Sequence, residues 1–346
     1  MKALVYGGPG KRSWEERPRP RLQEPTDVIV RITTTTICGT DLHILKGDVP
    51  SVPPGRILGH EGVGVVEEVG AAVGNLAVGD RVLLSCITSC GRCDFCKRSM
   101  YSHCRSGGWS FGNRIDGTQA EYVRVPFADT STFKLSTDAD EEAMVMLSDI
   151  FPTGYEVGVV NGSVKPGDVV AIVGAGPIGL AVLVTAQLFS PAELWVIDLD
   201  PNRLEVARGL GATATFDAAE PDLAKTLLER SGGGVDVAVE AVGIPETFDL
   251  CQRILAPGGH LANVGVHGKP VQLELEKLWI QNVTIRTGLV DTYSTPLLLK
   301  MVNAGKLEPS KMATHRFALA DMMKAYDTFG AAAKEKAIKV ILRAGA

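Results

Sequence analysis

The run CGRCDFCKRSMYSHC carries four cysteines, Cys90, Cys93, Cys96 and Cys104. Two residues lie between neighbours among the first three and seven lie before the fourth, a spacing that can wrap one tetrahedral metal. Four thiolates leave no open coordination position, so the cluster reads as a structural zinc site and not a reactive one. Any chemistry must therefore sit elsewhere in the chain.

A second motif, Gly174-Ala175-Gly176-Pro177-Ile178-Gly179, follows an apolar run and opens an apolar helix. This is G-x-G-x-x-G between strand and helix. The first glycine makes the turn, the second lets backbone approach a pyrophosphate, and the third packs helix on strand. The helix N-terminus then faces the phosphates. Alone the motif is weak. Here LWVID ends in Asp198, about 20 residues on, where a carboxylate accepts from the ribose hydroxyls. Such a group repels a 2′-phosphate, so NAD is preferred to NADP. Arg203 follows closely and could lean on the adenine or tolerate some phosphate. A plainer reading has Asp198 capping the next helix, and it could do both.

Hydride removal from a carbinol needs a group that stabilises the oxygen left behind. A zinc with three protein ligands and one open position does this as a Lewis acid. Candidates lie in Cys38-Gly39-Thr40-Asp41-Leu42-His43 and Gly59-His60-Glu61. Spacing alone does not prove a site. A lone buried cysteine is more often a small apolar residue, and a lone histidine is usually a satisfied one.

Two patterns must position these residues. The first ~150 residues are β-rich, with strand-like runs at 28–32, 64–69, 81–85 and 121–125 punctuated by glycine, proline and aspartate. This suggests a barrel or folded sheet with long loops. From 151 to 290 strands alternate with helices. Strands are expected at 169–173, 194–197, 214–216, 235–239, 260–264 and 284–286, and helices at 203–209 and 223–230. That alternation makes a parallel sheet covered on both faces. The tail from 291 has helical patterns and a final strand at 337–342.

The chain of 346 residues is long for one domain. Its apolar share of 45% and charged share of 22% suit a soluble globular protein, and 38 glycines fit many tight turns. A net charge of −5 without a basic run argues against nucleic acid and anionic membrane as partners. The N-terminal MKALVYGGPG shows no apolar signal segment, and seven cysteines then read as reduced thiols and metal ligands. Cys38, Cys86 and Cys251 lie outside the cluster. A cytoplasmic protein is expected. The uncharged stretch 169–189 is long enough to span a bilayer, but its glycines and Pro177 favour a buried strand, a turn and a buried helix.

With these motifs in order, the whole chain resembles a zinc-dependent alcohol dehydrogenase of the medium-chain dehydrogenase/reductase family. CGTDLH and GHEGVGVVEEVG are similar to the family's catalytic-zinc segments, CGRCDFCKRSMYSHC to its structural-zinc lobe, and GAGPIG with Asp198 to its cofactor turn. The resemblance implies an α/β fold: a GroES-like β-barrel catalytic domain at 1–152 that bears the structural-zinc lobe, a Rossmann-type doubly wound parallel sheet at 153–292 for the cofactor, and a return to the catalytic domain at 293–346. It implies two zincs per chain and NAD.

The same resemblance makes Cys38 and His60 ligands of the catalytic zinc. The third ligand is cysteine in many members, but MLSDIFPTGYE has none. Asp149 sits where the secondary-alcohol branch uses aspartate. Glu61 lies beside the metal and takes the third place if Asp149 does not. Thr40 and His43 relay the alcohol proton to solvent. Cofactor walls fall on Val264, Gly265 and Val266 and on Gly288, Leu289 and Val290. Trp109, with Cys86, Leu289 and Val266, would line an apolar substrate pocket. The four-cysteine shell would pin the loop 86–109. Small, mainly apolar alcohols, ketones and aldehydes are the expected substrates. A polyol, threonine or formaldehyde-adduct dehydrogenase of the same family is the alternative. Family members form dimers and tetramers, so a homo-oligomer is expected.

Overall fold

The computed structural model describes residues 1–345. The chain divides into two units, residues 1–149 with 291–346, and residues 150–290. The boundary follows Asp149 at one crossing and Val290 at the other.

The first unit is built on a seven-stranded sheet, six strands of which form one path. Its order is Ala313–Ala318, Lys339–Arg343, Val28–Thr36, Gly62–Val69, Arg81–Leu84 and Thr132–Lys134, with Tyr122–Val125 joined to Val28–Thr36 off that path. Val28–Thr36 pairs antiparallel with Tyr122–Val125 along its first half and with Lys339–Arg343 at its end, while Gly62–Val69 follows nearly its whole length. One strand that changes partner along its length bends the sheet on itself, as a barrel requires. Alternation sends Val28, Val30, Ile32, Val66, Val82, Leu84, Phe111 and Val123 into one buried cluster. A hairpin, Lys2–Gly8 with Lys11–Glu16, was not expected from the sequence. It bridges to the same unit at Ala120 and Ile57.

One ion network ties the C-terminal return to this sheet. Glu142 is buried; it accepts from Arg316 at 2.7 Å and forms an ion pair with Arg343 at 2.8 Å. The Arg316 guanidinium, then that of Arg343, holds the Glu142 carboxyl below its ordinary value. A lowered folded pKa contributes stability above the unfolded carboxyl pKa of about 4.3, and loses it as pH falls through the folded value. Glu142→Gln is expected to cost about 1–3 kcal/mol at neutral pH. The gap in Tm between the two proteins should close below about pH 4. A gap that stays constant from neutral to acid pH would show that the charge is not what stabilises.

The second unit is a six-stranded, all-parallel sheet. Its strands are Val169–Val173, Glu193–Asp198, Ala214–Asp217, Val235–Glu240, Leu255–Asn263 and Thr284–Thr287. Counted along the chain, their spatial order is 3-2-1-4-5-6, the doubly wound dinucleotide-binding order. Helices Pro177–Ala186, Pro201–Gly209, Leu223–Ser231 and Pro245–Arg253 connect the inner strands. The inner strands are almost wholly buried, and Trp195, Ile197, Phe216, Val235 and Leu261 share one core. The uncharged stretch 169–189 is the first strand, the turn and the first helix. Among the described residues no helix is long and apolar enough to cross a membrane.

Candidate metal centres and cofactor site

Three segments of the first unit bring Cys38, His60 and Asp149 together, with one ligand atom from each lying within 4.8 Å of the others. Cys38 precedes the helix Gly39–Lys46. His60 precedes the strand Gly62–Val69. Asp149 ends a short turn that is fixed from two sides: Ser148 Oγ accepts from Gly62 N–H, and Ser148 O accepts from Cys86 N–H. Asp149 Oδ2 lies 3.6 Å from Cys38 Sγ and 3.3 Å from His60 Nε2. Tetrahedral bonds of about 2.0–2.3 Å set ligand atoms roughly 3.3–3.8 Å apart, so these spacings fit a single zinc. The charges fit as well. Burial pushes the Cys38 thiol up. Burial also opposes a charged His60, yet hydrogen bonds to Asp149 and Cys38 outweigh it and raise His60 well above its ordinary value. The neighbours of His60 thus favour a positive charge there, whereas burial disfavours the Cys38 thiolate unless a cation is bound beside it.

Two further residues, not singled out from the sequence, complete the surroundings. Asp41 is buried, and its Oδ2 accepts from Cys38 N–H at 2.9 Å and from Gln119 Nε2 at 3.0 Å. Its Oδ1 faces His60 Nδ1 at 3.8 Å. A carboxylate on that nitrogen leaves Nε2 for the metal. Lys339, on the last strand, is fully buried and sits 2.5 Å from Glu61 Oε2. Burial opposes its charge, but Glu61, Cys38 and Asp149 outweigh that and hold its pKa above the ordinary value. Thr36 Oγ1 also donates to Glu61 Oε2, while Glu61 Oε1 is buried without a hydrogen-bond partner.

Thr40 and His43 lie on the helix that Cys38 precedes, three residues apart and so on one face. Thr40 Oγ1 is 3.8 Å from Cys38 Sγ. His43 is 41% exposed and its Nδ1 meets Asp48 at 2.9 Å. Cys86 is buried with Sγ 3.7 Å from Asp149 Oδ1. Trp109 is half-buried and pairs with Ile87, the residue after Cys86. All four therefore lie on segments that converge on the three-residue cluster.

The ligand atoms of Cys90, Cys93, Cys96 and Cys104 also lie within 4.8 Å of one another, and all four are free thiols. Cys93 and Cys96 sulfurs are 3.5 Å apart, and Cys90 and Cys96 sulfurs 4.0 Å. Zinc–sulfur bonds of about 2.3 Å in a tetrahedron require sulfurs roughly 3.8 Å apart. Backbone N–H groups of Arg105 and Cys96 lower the Cys93 thiol to about 6, whereas burial and then neighbouring thiols push Cys96 up to about 12. Asp291 ties the loop to its unit, accepting from Ser102 N–H at 2.8 Å and from Ser102 Oγ at 2.6 Å.

In the second unit Gly174 turns the chain with φ of +107°, and a Cβ on Gly179 would lie 1.8 Å from Gly174 O. Gly176 precedes the helix, Pro177 opens it, and Ile178 lies in its first turn. Asp198 Oδ2 accepts from Ala175 N–H at 2.6 Å and Oδ1 from Asp200 N–H at 2.8 Å. The helix cap is Asp200, which accepts from Asn202 N–H. Arg203 lies 3.9 Å from both Asp198 and Asp200. At the carboxyl ends of the strands, apolar side chains stand exposed: Leu199 at 69%, Val266 at 72% and Leu289 at 49%, with Val242 and Ile244. Val264 and Gly265 N–H groups both donate to Glu240 O, and Gly288 lies beside Asn161. Val290 is buried and takes no part in this exposed edge. The exposure of Leu199 and Val242 has no sequence signal, because nothing in a strand's pattern says which apolar residue beyond its end stays exposed.

Residues 24–137 match the alcohol dehydrogenase GroES-like domain, and residues 177–303 match the zinc-binding dehydrogenase family. An alcohol dehydrogenase of Cupriavidus necator is 35% identical over 95% of this chain and 95% of its own length. The structure of zinc dependent alcohol dehydrogenase 2 from Streptococcus pneumonia superposes with a TM-score of 0.96 at 52% identity, over 100% of this chain and 99% of that one. Alcohol dehydrogenase TADH from Thermus sp. ATN1 follows with a TM-score of 0.92 at 34% identity, over the whole of both chains. With a parallel sheet of the nucleotide-binding order in one unit and two metal-spaced clusters in the other, the chain belongs to the zinc-dependent alcohol dehydrogenases of the medium-chain dehydrogenase/reductase family.

Proposed function

We propose that this chain oxidises small, mainly apolar primary and secondary alcohols with NAD, and reduces the matching aldehydes and ketones, around a zinc held by Cys38, His60 and Asp149. A second zinc, held by Cys90, Cys93, Cys96 and Cys104, is structural. The observation that carries this reading is the convergence of three donors, from positions 38, 60 and 149, at tetrahedral spacings. Three protein ligands leave the open position that distinguishes a catalytic zinc from a closed one. When bound, zinc supplies Lewis acidity toward the substrate oxygen and NAD supplies the hydride acceptor.

The chain's own residues do the rest. Asp41 fixes Cys38 by its N–H and faces His60 Nδ1, which orients both ligands. The Thr40 hydroxyl, beside Cys38, takes the alcohol proton. His43, one helical turn on and partly exposed, passes it to solvent, with Asp48 steadying the imidazole. Trp109 and Cys86 give the substrate an apolar wall. Asp198 is held by two backbone N–H groups, which orients its remaining lone pairs for ribose hydroxyls. The Arg203 charge is drawn toward two carboxylates, which leaves little for a 2′-phosphate. Asp198→Ala is expected to raise the KM for NAD by about 10–100-fold, the worth of hydrogen bonds to a charged group, and to narrow the preference over NADP. Unchanged kinetics with both cofactors would remove Asp198 from the site.

The same reading extends to assembly and compartment. Every residue of the edge strand Thr284–Thr287 is exposed, and nearby Trp279 and Ile280 are 70% and 67% exposed. An unpaired edge beside a bare apolar patch suits pairing with the same strand of a second copy about a two-fold axis. A homo-oligomer follows. None of the seven cysteines is in a disulfide, which suits the cytoplasm.

A panel of alcohols with NAD and NADP tests the substrate class. 2-Propanol, 2-butanol and small primary alcohols should lead. Sorbitol or threonine outrunning every simple alcohol would overturn the assignment.

A further inference from the structure

We propose that Lys339 is a positioning residue for the catalytic metal: it holds Glu61 by Oε2, out of the ligand cluster, and so keeps the fourth coordination position open. This rests on reading Cys38, His60 and Asp149 as the metal's ligands.

Glu61 is the residue after His60 and is almost fully buried. Of all carboxylates it is tied most directly by the chain to a ligand, yet no Glu61 oxygen belongs to the converging group. Its Oε2 is held by Lys339 Nζ at 2.5 Å and by the Thr36 hydroxyl. Its Oε1 is buried and accepts no hydrogen bond among the described residues. An anionic oxygen without a partner in a dry site is a strong competitor for a nearby metal. A carboxylate that reached the open position would give four protein ligands, a closed shell like that of the cysteine cluster.

The tether is built to resist that movement. Lys339 starts the strand Lys339–Arg343, which is paired on both sides, by Ala313–Ala318 and by Val28–Thr36. Thr36, the second holder of Oε2, pairs directly with Ile341 of that strand. Lysine and threonine thus reach Glu61 from two hydrogen-bonded neighbours. A buried ion pair contributes little net stability against an apolar replacement, so stability alone is a weak reason for a lysine at this depth. The mid-site charge also balances the Glu61 carboxylate, which would otherwise be free to seek the metal.

The test uses the full-length protein with cobalt(II) in place of zinc, and imidazole as the probe of the open position. In the wild type, imidazole should shift the cobalt d–d bands at the three-ligand site. Lys339→Met should keep two metals per chain but need at least ten times more imidazole for the same shift. Lys339→Arg should bind imidazole as the wild type does. Glu61→Gln combined with Lys339→Met should restore near-wild-type binding, because a neutral amide competes poorly for the metal. Lys339→Gln, which removes the charge and keeps a donor, stands in if the methionine variant does not fold, and at least a threefold weakening is expected. Lys339→Met or Lys339→Gln proteins with two metals and wild-type imidazole binding would overturn the proposal, whatever their Tm. A wild-type cobalt protein that ignores imidazole altogether would instead overturn the open catalytic site itself.

Discussion

Asp149→Asn is expected to lower kcat/KM for 2-propanol by about a thousandfold or more, with little change in Tm. The reasoning begins with donors. Asp149 Oδ2 is the atom from which both other ligand atoms are measured, at 3.6 Å to Cys38 and 3.3 Å to His60. An amide in its place keeps the shape and removes the negative charge. The site then holds zinc weakly, because one anionic donor and one imidazole are fewer than a catalytic zinc keeps. Lewis-acid stabilisation of the substrate oxygen is worth several kcal/mol, and about 4 kcal/mol corresponds to three decades in rate. Stability should hold, since the strands around the site pair through their backbones. The measurement is steady-state oxidation of 2-propanol beside a thermal melt. A variant with full turnover would transfer the third ligand to Glu61.

Cys96→Ser should have the largest effect on stability. Cys96 is buried, and its sulfur lies within 4.0 Å of those of Cys90 and Cys93. The loop 86–109 contains only two-residue strands and single turns, so beyond contacts such as Ser102 with Asp291 a bound metal would be its main cross-link. Structural zinc supplies about 10–16 kcal/mol in isolated zinc-finger peptides, and only a part of that is felt in a lobe of a larger domain. With about 4 kcal/mol lost, Tm should fall by roughly 10 °C. Protease cleavage should appear within 90–104. Intact resistance and an unchanged Tm would show that Asp291 and the Arg105–Asp94 pair hold the loop unaided.

How much of this was legible follows from range. Cysteine spacing and the glycine fingerprint are local, and both are readable because each of these two sites gathers its atoms from one short stretch of chain. Cys38 and His60 were visible as residue types but not as partners, since 22 positions separate them. Asp149 came only through resemblance: nothing near MLSD marks it. Asp41 lies inside CGTDLH, where an acid three residues after a ligand is a helix-start signal with a second oxygen to spare. Lys339 had a signal too, a lone lysine inside the apolar run AIKVIL, which is the mark of a strand buried on both faces. The fifth parallel strand proved longer than expected, Leu255–Asn263 against 260–264, because Pro257, Gly258 and Gly259 mimic a turn. There the pairing with its neighbour shifts register instead of ending.

Zinc per chain, counted on wild type, Asp149→Asn and Cys96→Ser purified without added metal, tests the central claim most directly. The account predicts two zincs in the wild type and one in each variant, with alcohol oxidation lost in Asp149→Asn. One zinc or none in the wild type would contradict it, as would an Asp149→Asn protein that keeps both metals and full turnover.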